Sequence, residues 1–411
     1  MSLDAARPSV GLAFDVERIR SEFPALVGGN AHFDAPGGTQ TPRPVIDAIA
    51  AALAGPLANR GPDTPGARRA EEIVAASRLA VADLVAGDPH GVVFGRSATE
   101  LTMSMARTLS RTWRSGDEVV VTRLDHDANI RPWILAAERA GVRVRWAEFD
   151  PATGALAPAA VTSLLTDRTR LVAVTAASNL IGTRPDVAAI AAAARAVGAL
   201  VYVDGVHYAS HALVDLAELG ADFFVCSPYK FFGPHHAALI ADPALLDSLR
   251  PDKLLPSTDA VPERFELGTL PYEVLAGTTA AIDFLAGLAD GSGTRRERLA
   301  RSLAASEQHQ SRLGSALRAG LADRAGAVFH GADAPVRTST LLFDLPGAAA
   351  PDVARHLATH GVSAPAGSFY AVEASRQLGL GVGGAVRVGL AAYNDEDDVR
   401  RLLSAVDDIV G

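Results

Sequence analysis

Between Gly91 and Ala241 short apolar runs alternate with stretches patterned at helical spacing. The runs at 92–94, 118–121, 142–146, 171–175, 200–203, 223–226 and 238–240 predict strands. A helix is expected from Thr99, and another over 187–197, with Pro185 and Asp186 at its start and Gly198 at its end as start and stop signals require. Apolar runs without polar alternation, separated by helices, imply parallel strands buried on both faces. The reading is an α/β sheet covered on both sides. After Tyr272 the texture changes. An alanine-rich helix (274–288) leads into a charged one (295–321), then an apolar run (341–343), a short helix (351–360), a run at 386–390 and a last helix (395–410). This predicts a smaller α+β domain onto which the first thirty residues fold back. The expected division is a large α/β domain over 31–280 and a small α+β domain made of 1–30 and 281–411.

Composition narrows the class. A chain of 411 residues suits two or three domains, and 48% hydrophobic with 21% charged residues excludes disordered, collagen-like and low-complexity chains. A net charge of −9 argues against a sequence-independent grip on nucleic acid or anionic lipid. One cysteine cannot form an intramolecular disulfide and excludes a cysteine-rich zinc module. The most apolar helical stretch, 187–197, is interrupted by Arg195 and falls short of the roughly 20 residues a bilayer demands, so no membrane span is expected. Residues 1–14 show no basic segment followed by an apolar one, which leaves a cytoplasmic location as the expectation.

In an α/β sheet ligands gather beyond the carboxyl ends of the strands, so polar residues directly after apolar runs carry the chemistry. Asp204 follows the run 200–203, where it could pair with a cationic ring nitrogen or cap the next helix. Lys230, in Ser227-Pro228-Tyr229-Lys230-Phe231-Phe232-Gly233, sits among aromatics; desolvation there would free its amine as a nucleophile for carbonyls. Gly95-Arg96-Ser97-Ala98-Thr99-Glu100 places small residues at a helix N-terminus, able to present N–H groups to a phosphate or to cap the helix. Asp125-His126-Asp127 could suggest a metal, but no second histidine cluster lies at ligand spacing, and a flat imidazole can equally stack on a flat ring. No metal is expected. Asp204 and Lys230 are separated by about one crossover, so both can reach one sheet edge. A carboxylate for a pyridinium nitrogen, a lysine for an aldehyde and a helix N-terminus for a phosphate together are what pyridoxal phosphate needs.

From His32-Phe33-Asp34 to its C-terminus the sequence resembles the class V aminotransferase superfamily of fold-type I pyridoxal-phosphate enzymes, in particular cysteine desulfurase-like proteins. The resemblance implies a mainly parallel seven-stranded sheet in the large domain. It implies that Lys230 forms the Schiff base with pyridoxal 5′-phosphate, that Asp204 holds the ring nitrogen, that His207 lies near the ring hydroxyl and that His126 stacks on the ring. Ala98, Thr99, Ser227 and Tyr229 would bind the phosphate, Tyr229 standing where a histidine is common. Asn179 matches the residue beside ring and substrate, and Arg387 the arginine that clamps the substrate carboxylate. Thr269 lies in a segment (264–269) that resembles the one reaching into a neighbouring subunit's phosphate site, which implies a homodimer with shared active sites.

The chain departs from the desulfurase pattern at one place. Desulfurases carry a mobile cysteine in a loop before the final strands, and Tyr370 stands about there. The single cysteine, Cys226, falls in an apolar run and reads as a small core residue. A persulfide on the enzyme is therefore not expected. Tyr370 is either a packing aromatic or a residue that lines the substrate pocket or donates a proton. The expected activity is lyase or aminotransferase chemistry on a small or sulfur-containing amino acid. The alternatives are an epimerase or racemase of the same family, and a non-catalytic cofactor-binding partner protein.

Overall fold

The computed structural model describes residues 14–410. Residues 1–13, part of the expected N-terminal return and of the stretch without a secretory signal, lie outside the described residues. The chain opens with α1 (Val16–Ser21), β1 (Ala31–His32), α2 (Arg43–Ala54) and α3 (Pro65–Val85). Strand–helix alternation follows: β2 (Val92–Gly95), α4 (Ala98–Leu109), β3 (Glu118–Thr122), α5 (Arg131–Ala140), β4 (Arg143–Ala147), α6 (Pro158–Thr162), β5 (Thr169–Thr175), α7 (Val187–Ala196), β6 (Leu200–Asp204), α8 (Leu216–Leu219), β7 (Phe223–Cys226), β8 (Ala237–Ala241) and α9 (Pro243–Ser248). The remainder holds α10 (Tyr272–Ala286), α11 (Arg295–Ala325), β9 (Val328–Phe329), β10 (Leu341–Asp344), α12 (Ala350–Thr359), β11 (Val362–Ser363), β12 (Ala366–Gly367), α13 (Val372–Gln377), β13 (Ala385–Val388) and α14 (Glu396–Val410). Among the described residues no helix is long and apolar enough to cross a membrane.

Each of the seven apolar runs forms a strand of one sheet, in the order β2-β8-β7-β6-β5-β3-β4. The expected mainly parallel seven-stranded sheet is present, with β8 antiparallel to both its neighbours. The apolar runs themselves predicted only parallel strands. An apolar run buried on both faces looks the same in either direction, so only the short connection from β7 to β8 separates the two cases. Strands β5, β6 and β7 pair in parallel register, Thr175 opposite Asp204 and Asp204 opposite Val225. Their carboxyl ends therefore come out level. Helix α7 starts where the caps require it, the Asp186 carboxylate accepting the Ala189 N–H at 2.9 Å. One apolar layer fills each face of the sheet.

A four-stranded antiparallel sheet (β12-β13-β10-β9) with α11, α12 and α14 forms the second layered unit and has its own core. Helix α1 is held against it by Arg20, whose guanidinium pairs with Asp395 at 2.9 Å and Asp398 at 2.8 Å. Two features depart from the expected division. Ala31 and His32, placed by sequence at the start of the large domain, pair with β11 of the C-terminal unit. Helix α11 runs one turn past its expected end, to Ala325, after an N-terminal capping box of Thr294 and Glu297. The return of residues 31–34 matters most, because it carries Asp34 to Gly389, beside the end of β13.

Candidate active site

A cavity of about 640 Å³ opens at the carboxyl ends of the parallel strands. It is lined by eleven of the twelve residues expected from the sequence: Ala98, Thr99, His126, Asn179, Asp204, His207, Ser227, Tyr229, Lys230, Tyr370 and Arg387. Thr269 is not brought to it; that residue lies exposed on the surface segment after Glu266.

Lys230 ends the single helical turn that follows β7. Its side chain is 7% exposed, and its amine donates to the backbone carbonyls of Pro36 and of Gly37, the latter at 3.0 Å. Burial, reinforced by the Arg387 charge, pulls the amine down to about 7, against the opposing pull of Asp34 and Asp204. Asp204 ends β6. Its Oδ1 accepts the Val206 N–H at 2.9 Å, so the carboxylate does cap the following turn, but it also lines the cavity. Burial pushes this carboxyl up to about 6. Tyr229 lies with its ring centroid 4.7 Å from the Lys230 Nζ and stacks on its other side against His235.

His126 follows β3. Its Nδ1 accepts the Ala128 N–H at 3.0 Å, which leaves the proton of the neutral ring on Nε2. Burial, with Lys230 and Arg387 nearby, pulls this imidazole down to about 4, so it is neutral at pH 7. Behind it Asp125 is fully buried and pushed up to about 8 by desolvation; its Oδ1 accepts the Asn129 amide at 2.7 Å. His207 is also buried and held neutral, first by desolvation; its Nε2 lies 3.1 Å from the Thr340 hydroxyl and 3.3 Å from that of Thr338. At α4, Ser97 accepts the Glu100 N–H at 3.1 Å and thereby caps the helix. The Leu101 N–H goes to the Ser97 carbonyl; the Ala98 and Thr99 N–H groups, at the first positions of the helix, have no intrahelical acceptor, and both residues line the cavity. Capping and anion binding, the two readings of this segment, are thus compatible.

Arg387, on β13, is 1% exposed. It donates from Nη1 to the Asn179 carbonyl at 3.0 Å and from Nη2 to Asp34 Oδ1 at 2.5 Å, and its Nε is buried without an acceptor. The Phe369 ring covers the guanidinium, with 3.6 Å from Cζ to the centroid. Phe369 and Tyr370 both adopt left-handed backbone, φ +51° and +61°, a conformation costly for bulky residues and met mainly where function requires it. The strap they form is tied down at both residues: the Asn179 amide donates to the Phe369 carbonyl at 3.0 Å, and the Asp127 N–H to that of Tyr370 at 2.8 Å. The Tyr370 ring is 74% exposed and stacks on His126 at 5.4 Å, so it is a residue of the mouth and not a core aromatic.

The lining groups not named as site residues from the sequence include Asp34, the Pro36–Gly37 backbone, Phe369, and the Asp127–Arg131 ion pair, which spans 3.1 Å. A signal existed for the second. Pro36-Gly37-Gly38 marks a close backbone approach, and a Cβ at Gly37 would overlap the Asp34 carboxylate. Cys226 lies elsewhere, fully buried in β7, its thiol pushed up to about 12 by desolvation.

Residues 31–402 match the family described as aminotransferase class-V, and the chain belongs to it. It is 36% identical over 401 residues to an uncharacterized protein of Mycobacterium tuberculosis, covering 96% of this chain and 99% of that one. It is 32% identical over 406 residues to a probable cysteine desulfurase of Pseudomonas putida, covering 94% and 96%. The solved cysteine desulfurase CsdA of Escherichia coli superposes with a TM-score of 0.84 at 27% identity, covering 96% of this chain and 98% of that one. The family's members are pyridoxal-phosphate-dependent enzymes, and this chain is one of them. Its residues fit the cofactor. A buried amine whose proton is held weakly, a buried carboxylate and the N-terminal residues of a helix line one cavity, alongside buried polar atoms without partners: Asn179 Oδ1, His207 Nδ1 and Arg387 Nε.

Arg387 carries a prediction of its own. Arg387→Gln is expected to raise the KM for an amino-acid substrate roughly ten- to a hundredfold while cofactor loading stays unchanged, the mark of lost substrate binding. Initial-rate kinetics and the cofactor content of the purified variant check it.

Proposed function

We propose that this class-V aminotransferase family member acts on a small or sulfur-containing α-amino acid, as a lyase or aminotransferase, with no persulfide carried on the enzyme. The observation that carries this reading is that Lys230, Asp204 and Arg387 face one cavity to which the chain supplies no thiol.

When bound, pyridoxal phosphate supplies an electron sink that weakens the bonds at the substrate Cα. Lys230 would hold it at the aldehyde end and Asp204 at the ring nitrogen. The Ala98 and Thr99 N–H groups and Ser227 would hold the phosphate, with the Tyr229 ring alongside. Arg387 offers the substrate carboxylate its unpartnered Nε and the edge now shared with Asp34. The Lys230 amine would be placed to accept the Cα proton, and burial brings its neutral form into play near neutral pH. Neutral His126 presents a flat face and donates from Nε2 without adding charge. Phe369 covers the Arg387 guanidinium and Tyr370 stacks on His126 at the mouth.

The reading is tested by incubating the purified protein with small and sulfur-containing amino acids and identifying products by mass spectrometry. A 2-oxo acid is expected, with sulfide when cysteine is supplied. A persulfide on Cys226, or inversion at Cα with no other product, would overturn it. Cys226→Ala is expected to leave kcat within about twofold, because the residue is a buried strand side chain outside the cavity. Thr269, beside the exposed Leu267, would complete the phosphate end of a second copy's cavity in a homodimer.

A further inference from the structure

The wall behind His207 closes a second cavity, of about 200 Å³, between α11 and the segment leading into β10. Two arginines line it. Arg318 pairs with Asp333 at 2.6 Å and donates to the Ala332 carbonyl at 3.1 Å. Arg337 reaches that same carbonyl at 2.6 Å, and otherwise donates to the carbonyls of Ile181 at 3.0 Å and Thr340 at 2.5 Å. Among the described residues no carboxylate pairs with Arg337. Its Nε is buried without an acceptor, and so is the hydroxyl of the adjacent Ser339. The one acid on the lining, Glu307, is engaged by Arg184 at 2.5 Å. A mostly buried cation hydrogen-bonded to carbonyls alone, beside a second cation, has only the attraction of Asp333, itself already paired with Arg318, to offset its burial, and such a charge is costly to keep.

We propose that this cavity binds a small oxyanion, phosphate or the phosphate end of a small metabolite, between Arg337, Arg318 and the Ser339 hydroxyl. All three groups donate, and guanidinium forks match the oxygen spacing of phosphate. The volume admits a phosphate and a few waters. Burial and the neighbouring Arg318, against the weaker opposing pull of Asp333, bring the Arg337 guanidinium down to about 10, which a bound anion would reverse. The position is also informative. Thr338 lines this cavity and contacts His207 of the first one at 3.3 Å, and His211 joins His207 to Gln310 on α11. A bound anion would therefore tie α11 to the 337–340 segment one side chain from the active site. This inference does not depend on which reaction the active site performs.

The test is calorimetric titration of the holoenzyme, whose cofactor phosphate site is filled, with inorganic phosphate and separately with glycerol 3-phosphate. Saturable binding with a Kd near or below about 1 mM is expected for phosphate. Tighter binding of the ester would assign the site to a phosphorylated metabolite, and equal or weaker binding to the free ion. Arg337→Gln should weaken binding at least about tenfold, and Ser339→Ala about threefold. Ser339→Asp places a carboxylate in the cavity, so it should abolish phosphate binding while raising the melting temperature measured without phosphate. This variant decides the matter even where Arg337→Gln does not fold. No saturation by either ligand, or binding unchanged in the Ser339 variants, would overturn the proposal.

Discussion

Lys230→Ala is expected to yield a folded, colourless protein whose turnover is reduced by about 10²–10⁴-fold or more. The variant removes both roles proposed for the amine, attachment of the cofactor and transfer of the Cα proton. The decisive measurement is optical: the purified wild type should show a visible band that borohydride abolishes, and the variant should show none. A reducible band that survives in Lys230→Ala would mean that another amine holds the aldehyde. Stability should move in the opposite sense to activity. Burial lowers the Lys230 amine in the folded chain to about 7, against an ordinary lysine value near 10.5 in the unfolded one. Between those values the unfolded chain binds the extra proton, so the folded state gains stability as pH rises through that window and is penalised below it. Removing the amine lifts the penalty, and the melting temperature of the apoprotein near pH 7 should be unchanged or raised. The same shift sets a pH dependence. Uptake of cofactor by the apoprotein needs the neutral amine, so its rate should rise with pH through a midpoint near 7 and level off about a unit above it, where an ordinary lysine would still be climbing at pH 9.

The elements that carry this amine were legible because each announces itself locally. The run 223–226 is apolar at every position and stops at a serine and a proline, and β7 occupies just those residues. Asp186 before an alanine-rich stretch, and Gly198 after it, bracket α7 within a residue or two. The residues that close the site were not legible, because what places them is distant in sequence. Asp34 meets Arg387 only because a two-residue strand near the N-terminus pairs with β11 and brings the chain past Gly389. Nothing near position 34 announces that partner. Phe369 likewise reads as an ordinary loop aromatic until left-handed backbone turns its ring over the guanidinium. The orientation of β8 was hidden for the opposite reason, since burial on both faces removes any pattern that distinguishes direction. Thr269 belongs to a third kind: in one copy of the chain it is exposed and lies apart from the cavity, and only the family resemblance singled it out.

Asp204→Asn should separate binding from chemistry. The amide is nearly isosteric and its carbonyl can keep the Val206 N–H contact, so the turn after β6 should fold unchanged and the borohydride-reducible band should remain. What it removes is the negative charge. In the wild type that carboxyl has been pushed up to about 6 by burial, yet at pH 7 it is mostly ionised, because the Val206 N–H and the Lys230 charge both favour the anion. A buried anion of this kind favours a cation placed against it, and the ring nitrogen of the cofactor is the group whose proton it would hold. Asparagine would leave the cofactor's ring nitrogen without the charge proposed to keep it protonated, and kcat should fall by about 10²–10⁴-fold, with KM little changed because Arg387 is untouched. Asp204→Glu provides the complementary arm. It restores the charge but lengthens the side chain in a site already closed from behind, where Gly205 packs so tightly on the Phe224 ring that not even a Cβ fits. Partial recovery by glutamate, with none by asparagine, would assign the defect to charge and not to shape. Equal activity of wild type and Asp204→Asn would remove Asp204 from the chemistry and leave it only the cap of a turn.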